Sequence, residues 1–254
     1  MSQLSAGLRD EVASGRPFLY EWGLGLEVAH PDLPRAQETV ADLVRDDVVA
    51  ALRDAGPRAR ALDLACNEGW WSHRLLEWGA AEVVAVDARE DNAQRARLLR
   101  DQHGIDRESL DILTADATTL DADELGKFDV VLCLGLLYHL EDPIGTLRLA
   151  RRLTRGLLAV ETQVTRDPGL IAHAWGSTDD AVESTDASFA LRWERDPDFP
   201  LASVGGVVSL IPNLCALQLS LTAAGFADIR IAHTEDPAHS SGFVSGDRIV
   251  ALAS

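Results

Sequence analysis

The chain is poor in lysine, in methionine and in long apolar runs. Lys127 is the only lysine among 23 basic residues, whereas 41 residues are acidic, so the formal net charge is -18. Proteins that bind nucleic acid usually present a basic face, and this charge balance therefore makes RNA or DNA an unfavoured partner. A local arginine patch remains compatible with such a partner.

Segments that would direct the chain to a membrane are also missing. No apolar run approaches the ~20 residues that a membrane-spanning helix needs. Residues 1–15, MSQLSAGLRDEVASG, lack the basic and then apolar form of a secretory signal. We therefore expect a cytoplasmic protein without a membrane partner.

Metal-binding patterns are absent as well. The three cysteines, Cys66, Cys133 and Cys215, are not spaced as a ligand pair, and no H-E-x-x-H motif occurs. Their apolar surroundings favour small buried residues over a disulfide framework. We expect no metal.

What the sequence does contain is a strand, turn, helix and strand between residues 61 and 87. Residues 61–65 form an apolar run, 66–69 a turn, 70–78 an amphipathic helix, and a second apolar run ends on Asp87. The turn allows a ligand close to the backbone, and a helix N-terminus offers unpaired N–H groups. Asp87 is placed to accept hydrogen bonds from both hydroxyls of a ribose. The unit predicts a site for an adenosine-bearing ligand.

Two segments carry a family resemblance. Residues 62–69, LDLACNEG, resemble motif I (hhDhGxGxG) of class I S-adenosylmethionine (SAM)-dependent methyltransferases, with Ala65 and Asn67 in place of two glycines. Asparagine tolerates positive φ better than most residues, so the turn is retained. Residues 128–143, FDVVLCLGLLYHLEDP, resemble motif IV and the loop after it. With residues 156–164, GLLAVETQV, they are similar to the branch containing the tRNA wobble-uridine (mo5U/cmo5U) methyltransferase-like proteins.

The fold class expected is α/β, a Rossmann-like doubly wound seven-stranded sheet with an N-terminal helical cap and an inserted cover segment. Further strands are predicted at residues 110–114, 128–134 and 157–164. The last two, at 229–232 and 249–252, are expected to be antiparallel at the sheet edge. We divide the chain into a cap at residues 1–55 and a methyltransferase domain at 56–254, with the substrate cover at about 165–208.

The resemblance implies SAM as the cofactor, with carboxy-SAM as an alternative because some relatives in this branch use it. The cofactor-binding positions it implies are Asp63, Ala65, Cys66, Asn67, Gly69, Asp87, Ala88, Asp116, Ala117, Leu134 and Gly135. Asp63 would help to fix the loop around the SAM amino group. Asp116 would bind the adenine amino group, or it is a solvated loop carboxylate.

Methyl transfer requires alignment of the acceptor, the methyl group and the sulfur, and removal of any acceptor proton. His139, with an unperturbed pKa near 6.5, is the candidate base. Tyr138 would orient the substrate or close over the sulfonium; both residues have a purely structural alternative. Glu161 is a third catalytic candidate, as a base or a partner of a substrate amine, against a buried hydrogen-bonded carboxylate.

The substrate-binding candidates are Tyr20, Trp22, Gln163, His173 and Trp175, against the alternative that the aromatic residues only pack on the core. An acidic chain with aromatic cap and cover segments suits a small organic molecule in an enclosed pocket. We expect O- or N-methylation of a specialised metabolite. Two alternatives stay open: a tRNA wobble-uridine modifying enzyme, and a SAM-binding protein that catalyses a reaction other than methyl transfer. A homodimer is also left open.

Overall fold

The computed structural model describes residues 4–29, 32–165, 187–193 and 208–254. The strands in these residues are β1 (Arg60–Leu64), β2 (Glu82–Asp87), β3 (Leu110–Thr114), β4 (Phe128–Leu134), β5 (Thr154–Gln163), β6 (Phe189–Trp193), β7 (Val208–Pro212), β8 (Ile229–Ala232) and β9 (Arg248–Ala253). The helices are α1 (Ala6–Ala13), α2 (Leu33–Ala55), α3 (Trp70–Glu77), α4 (Glu90–Gln102), α5 (Ala122–Leu125), α6 (Pro143–Leu153), α7 (Leu214–Ala224) and α8 (Ser241–Val244), with a 3₁₀ turn at Leu137–His139.

Seven of the strands form one sheet in the order β3-β2-β1-β4-β5-β9-β8. The first five are parallel, and β9 runs antiparallel to both β5 and β8. This confirms the predicted Rossmann-like doubly wound sheet and its antiparallel end. The strand order reverses beside β1 and β4, and ligands of open α/β sheets bind at the carboxyl edge of such a point.

Both faces of the sheet are buried, which explains the apolar runs in its strands. Successive residues of β2 illustrate this, because Val83 packs into a cluster with α2, α3 and α4, whereas Val84 packs into a second cluster with α6 and α7. The two faces therefore hold separate hydrophobic cores. The site lies at the sheet edge between them.

Helix α2 belongs to the layer that covers the first face. It contacts β4, β5 and β9, and its buried stripe contains Val40, Val44, Val48 and Leu52. Part of the predicted cap thus packs on the sheet. The boundary at residue 55 stays a prediction.

Helix starts follow the local chemistry of the sequence. Pro143 opens α6 after Asp142, whose carboxylate accepts from the Gly145 amide at 2.7 Å. Asn213 caps α7 by accepting from the Ala216 amide at 2.8 Å. Both helix starts thus depend on a side chain three residues before the amide that it accepts from.

Strands β6 and β7 form a separate antiparallel pair. Strand β6 falls inside the segment predicted as a substrate cover at about 165–208; most of the rest of that segment lies outside the described residues. The Leu210 amide of β7 donates to the Leu140 carbonyl at 2.9 Å. The pair is thereby attached to the loop that follows β4.

Among the described helices, none combines the length and apolar character needed to cross a bilayer.

Candidate cofactor and acceptor site

The loop after β1 has the backbone shape that glycines usually provide. Ala65 has φ 58° and Asn67 has φ 52°, both in the left-handed region, and Gly69 follows at φ 81°. Left-handed backbone costs a residue with a Cβ roughly 1–2 kcal/mol, and asparagine adopts it more readily than alanine. The turn expected from the motif is therefore present despite the two substitutions. Local strain of this kind is typical of ligand sites.

Gly69 permits a close approach between α3 and α4. A Cβ added at Gly69 would lie 3.2 Å from the Cβ of Ala96, besides being strained at its positive φ. Gly69 also directly precedes the first residue of α3, so the N-terminus of that helix begins at the loop. The arrangement forms a backbone cradle at the carboxyl edge of β1.

Asp87 at the tip of β2 holds the neighbouring loop in place. Its Oδ2 accepts from the Asn67 amide at 2.9 Å, and its Oδ1 accepts from the Arg89 amide at 2.9 Å and from Asn92 Nδ2 at 3.2 Å. Asp87 is buried, and burial raises its pKa. These contacts orient the carboxylate beside the cradle, as the prediction of a ribose partner requires.

Asp63 is a buried carboxylate beneath the same loop. Its Oδ2 accepts from Ser72 Oγ at 2.6 Å, and the residue is 1% exposed. Burial raises the pKa of Asp63 to about 7, with a smaller contribution from the charge of Asp87 and an opposing one from the Ser72 hydrogen bond. Strongly shifted carboxylates in clefts are typical of functional sites. Sequence reasoning missed Ser72, although its place on the first turn of α3 was visible.

Replacing Asp63 with asparagine is expected to give a gain in stability that depends on pH. The folded pKa of about 7 exceeds the value of about 3.9 in an unfolded chain, so the stability contribution of Asp63 is fully present below pH ~4 and is lost as pH rises through ~7. The melting temperature of ligand-free D63N minus that of wild type should therefore grow between about pH 4 and pH 7. A difference that is constant with pH would contradict the assignment. In an S72A background the difference should keep growing to a higher pH, because the hydrogen bond that lowers the pKa of Asp63 is lost.

Asn67 supplies a direct sign that a ligand fits this loop. Its Oδ1 is buried and has no hydrogen-bond partner within the described residues. An unsatisfied buried acceptor costs about 1–3 kcal/mol, which a hydroxyl or amine donor of a ligand would remove. A nucleoside with ribose hydroxyls supplies such donors, so the residues fit SAM.

The other implied cofactor positions follow from the sheet. Strand β1 pairs in parallel with β2 and β4, so Ala88 after β2 and Leu134 and Gly135 at the end of β4 lie along one edge with the loop. Asp116 after β3 accepts from the Thr118 amide at 2.8 Å and from its hydroxyl at 2.7 Å. Its role with adenine stays a prediction.

Two further implied positions have mainly packing contacts. Cys66 is buried in one core cluster and Ala117 in the other, and burial raises the pKa of the Cys66 thiol well above its usual value. The Cys66 amide donates to the Val86 carbonyl at 2.8 Å and extends the pairing of β1 with β2. Any cofactor contact from these residues would come through the backbone.

Glu161 near the end of β5 is held in an ion pair. Arg248 donates through Nε to Oε1 at 2.8 Å and through Nη2 to Oε2 at 2.9 Å, and the Glu161 residue is 3% exposed. A carboxylate bound on both oxygens by a guanidinium is a poor base. The arrangement favours the buried hydrogen-bonded alternative over a catalytic base. Arg248 was missed by the sequence analysis; its position opposite Gln163 depends on strand pairing.

Tyr138 lies between this ion pair and Gly135 at the end of β4. Its hydroxyl accepts from Arg248 Nη2 at 3.2 Å, and a Cβ on Gly135 would lie 3.7 Å from that hydroxyl and 3.8 Å from Glu161 Oε2. Burial raises the pKa of Tyr138, although Arg248 opposes the shift. His139 follows with its ring centroid 4.3 Å from that of Tyr138. The structure therefore brings Tyr138 and Glu161 together beside Gly135, with the His139 ring against Tyr138.

The predicted substrate residues are not all brought together. Tyr20 stacks on Trp70 with centroids 5.8 Å apart, next to the cradle. Trp22 is instead 8% exposed and packs against His73 and His103 with centroids 4.9 and 5.8 Å away, which is core packing and not a pocket wall. Gln163 Oε1 accepts from Arg192 of β6 at 3.4 Å. His173 and Trp175 lie outside the described residues.

The described residues contain no group of three or more His, Cys, Asp or Glu side chains arranged to hold a metal ion.

Together, the sheet order, the left-handed turn after β1 and the acid at the tip of β2 define a class I SAM-dependent methyltransferase, with SAM as its cofactor. A family model described as a methyltransferase domain matches residues 36–229. The match covers well over half of the chain, so the chain belongs to this family. The resemblance to the wobble-uridine branch stays a prediction.

Curated relatives match about half of the chain. The ubiquinone biosynthesis O-methyltransferase of Xanthomonas campestris pv. campestris (strain B100) is 34% identical over 134 residues, which are 52% of this chain and 53% of that protein. The protein of the same name from Ruegeria pomeroyi is 34% identical over 116 residues, 45% of each chain. The chain thus spans about half the length of the curated relatives that it matches.

Solved structures share the fold. The N-terminal domain of EvdMO1 with SAH bound has a TM-score of 0.70 and 24% identity, covering 97% of this chain and 95% of that chain. Magnesium protoporphyrin IX methyltransferase (ChlM) from Synechocystis PCC 6803 with bound SAH has a TM-score of 0.54 and 17% identity, covering 89% and 87%. At these identities the likeness is one of fold.

Proposed function

We propose that the protein transfers a methyl group from SAM to an oxygen atom of a small organic molecule, with His139 as the base. The observation that carries the proposal is the contact of the His139 ring with Tyr138, whose hydroxyl lies beside Gly135 at the end of β4. The choice of oxygen over nitrogen is supported by relatives that are named O-methyltransferases. The acidic chain supports a small acceptor over a nucleic acid.

The loop that carries His139 is held from two sides. The His139 amide donates to the Leu136 carbonyl at 2.9 Å within the 3₁₀ turn, and the Leu210 amide of β7 donates to the Leu140 carbonyl. In addition, Arg248 donates to the Tyr138 hydroxyl and to the Glu161 carboxylate. A base held in this way beside the cofactor edge needs little reorganisation to meet an acceptor.

SAM, when bound, supplies a methyl group attached to a positively charged sulfur. The protein must place the acceptor hydroxyl in line with that group and remove its proton, and His139 is the side chain proposed to accept it. Tyr138, whose raised pKa keeps it protonated, would donate a hydrogen bond to the acceptor or pack against it. Glu161 and Arg248 act as the support that holds Tyr138.

We propose further that acceptor choice resides in the N-terminal residues 1–55 and in the cover at about 165–208. Tyr20 reaches the cradle from the first segment, and Arg192 reaches Gln163 from the second. Both segments lie outside the strand-turn-helix unit that holds the cofactor. Relatives with the same fold can therefore differ in substrate through these segments.

An acceptor panel tests the proposal. Purified protein and SAM are incubated with phenols and catechols, with amines on the same carbon skeletons, and with tRNA that carries 5-hydroxyuridine at the wobble position, and SAH formation is measured. We expect SAH to form with hydroxyl acceptors and not with their amine analogues. Turnover on tRNA alone would support the wobble-uridine alternative. SAM binding with no SAH from any acceptor would support a reaction other than methyl transfer.

A further inference from the structure

Glu68 is a buried charge in the cofactor loop that the methyltransferase motif does not explain. It is 0% exposed. The Leu19 amide donates to both of its oxygens at 3.1 Å, and Arg95 Nη1 donates to Oε1 at 3.1 Å. Trp22 Nε1 lies 3.5 Å from Oε2. Burial raises the pKa of Glu68, and the Leu19 and Arg95 contacts oppose that shift.

Arg95 on α4 directs its other contacts to the N-terminal part of the chain. It is 1% exposed, donates through Nη1 to the Pro17 carbonyl at 2.8 Å and through Nη2 to the Arg16 carbonyl at 2.7 Å, and pairs with Glu11. Its guanidinium also lies 4.5 Å from the centroid of the Phe18 ring. A single buried cation therefore ties residues 11–18 to α4.

These two side chains together anchor residues 16–22, which we name the N-terminal strap. Glu68 holds the strap at Leu19, and Trp70 Nε1 donates to the Glu21 carbonyl at 3.3 Å. Tyr20 lies between these two anchors and stacks on Trp70 with an interplanar angle of 11°. The ring of Tyr20 is therefore placed against the loop of residues 65–69 by contacts on both sides.

The Tyr20 phenol is neutral in this position. Burial raises its pKa well above the usual value, and the charges of Asp63 and Glu68 raise it further. The neutral ring stacks on Trp70, the residue that directly follows the loop of residues 65–69.

We propose that Glu68 and Arg95 are positioning residues for the cofactor site, which hold the strap so that Tyr20 stays stacked on Trp70 and closes one side of the loop of residues 65–69. A buried ion pair adds little net stability, because desolvation offsets the attraction between the charges. Its directional hydrogen bonds do fix the Leu19 backbone in one place. The inference rests on the cofactor part of the proposed function and is independent of the acceptor.

The test is calorimetric titration of acceptor-free protein with SAH. We expect E68Q to weaken SAH binding about tenfold and Y20A to weaken it by a similar factor. If Glu68 acts through Tyr20, the double variant E68Q/Y20A will bind no more weakly than the weaker single variant. The matched control is E82Q, which removes the carboxylate of the Arg60–Glu82 pair at the opposite end of β1 and β2 and should leave SAH affinity unchanged.

A second measurement does not depend on the cofactor. Chymotrypsin cleavage after Tyr20 should be faster in ligand-free E68Q than in wild type or E82Q, because the strap has lost its anchor. If E68Q does not fold, the double variant E68Q/R95M, which removes both charges, is titrated with SAH in its place. Wild-type SAH affinity in either folded variant, or additive effects of E68Q and Y20A, would overturn the proposal. Failure of wild type to bind SAH would instead overturn the proposed function.

Discussion

Replacing Asp87 with alanine is expected to weaken SAH binding by about 100-fold. A hydrogen bond to a buried charged group contributes about 1.5–3 kcal/mol, and loss of two such bonds to a ribose amounts to about 3 kcal/mol, or about 100-fold in affinity. The variant also loses the bond from the Asn67 amide to Asp87 Oδ2, which orients the cradle. Both effects act in the same direction. Calorimetric titration with SAH measures the change.

A control variant distinguishes the loss of a ribose partner from the general effect of removing a carboxylate from a strand of the sheet. D111A makes the same change on β3, where Asp111 pairs with Val84 of β2 and forms an ion pair with Arg107. It should bind SAH as wild type does. Melting temperatures of ligand-free D87A and D111A would show that both are folded at the temperature of the titration. Wild-type affinity in a folded D87A would exclude the proposed place of the ribose.

Replacing His139 with alanine is expected to lower kcat by about 10²- to 10⁴-fold on a hydroxyl acceptor, the usual contribution of a positioned base. The affinity for SAH should change little, because the residue is assigned to the acceptor side of the loop. The measurement pairs initial rates of SAH formation with an SAH titration of the same preparation. A loss in kcat without a loss in cofactor affinity separates the base from a residue that only shapes the loop.

Two comparisons sharpen this result. Added imidazole should restore part of the activity of H139A, because it can enter the space left by the side chain and accept the proton. Y138F keeps the neighbouring ring and removes only the hydroxyl that Arg248 holds, so its loss in kcat should be smaller. An H139A enzyme with wild-type kcat would remove His139 as the base. Tyr138 or a residue of the cover would then take its place as the candidate.

The contacts of Arg248 also limit what Glu161 can do. The carboxylate of Glu161 accepts from the guanidinium on both oxygens, so removal of a proton from the acceptor would require this pair to separate. Loss of one partner from a buried ion pair leaves the other charge without compensation, which is strongly destabilising. Glu161 is therefore better suited to supporting Tyr138 than to exchanging protons.

The amino-acid sequence by itself determined the parts of this protein that depend on neighbouring residues. Apolar runs and helical spacing placed β1, α3 and β2 to within about one residue, and the acid at the end of β2 followed from the same short stretch. The caps of α6 and α7 are set just as locally, because each depends on a side chain within three residues of its partner. Local patterns such as these are set by backbone geometry and burial on one or two faces.

Only the tertiary structure decided the contacts between distant residues. Glu161 meets Arg248 across 87 positions of sequence, and Glu68 meets the Leu19 amide across 49. Neither pairing leaves a periodic signal, because it depends on which strands become neighbours and on how the N-terminal segment folds back over α4. The same reason explains why Trp22, two residues after Tyr20 in the sequence, packs against His73 and His103 while Tyr20 stacks on Trp70.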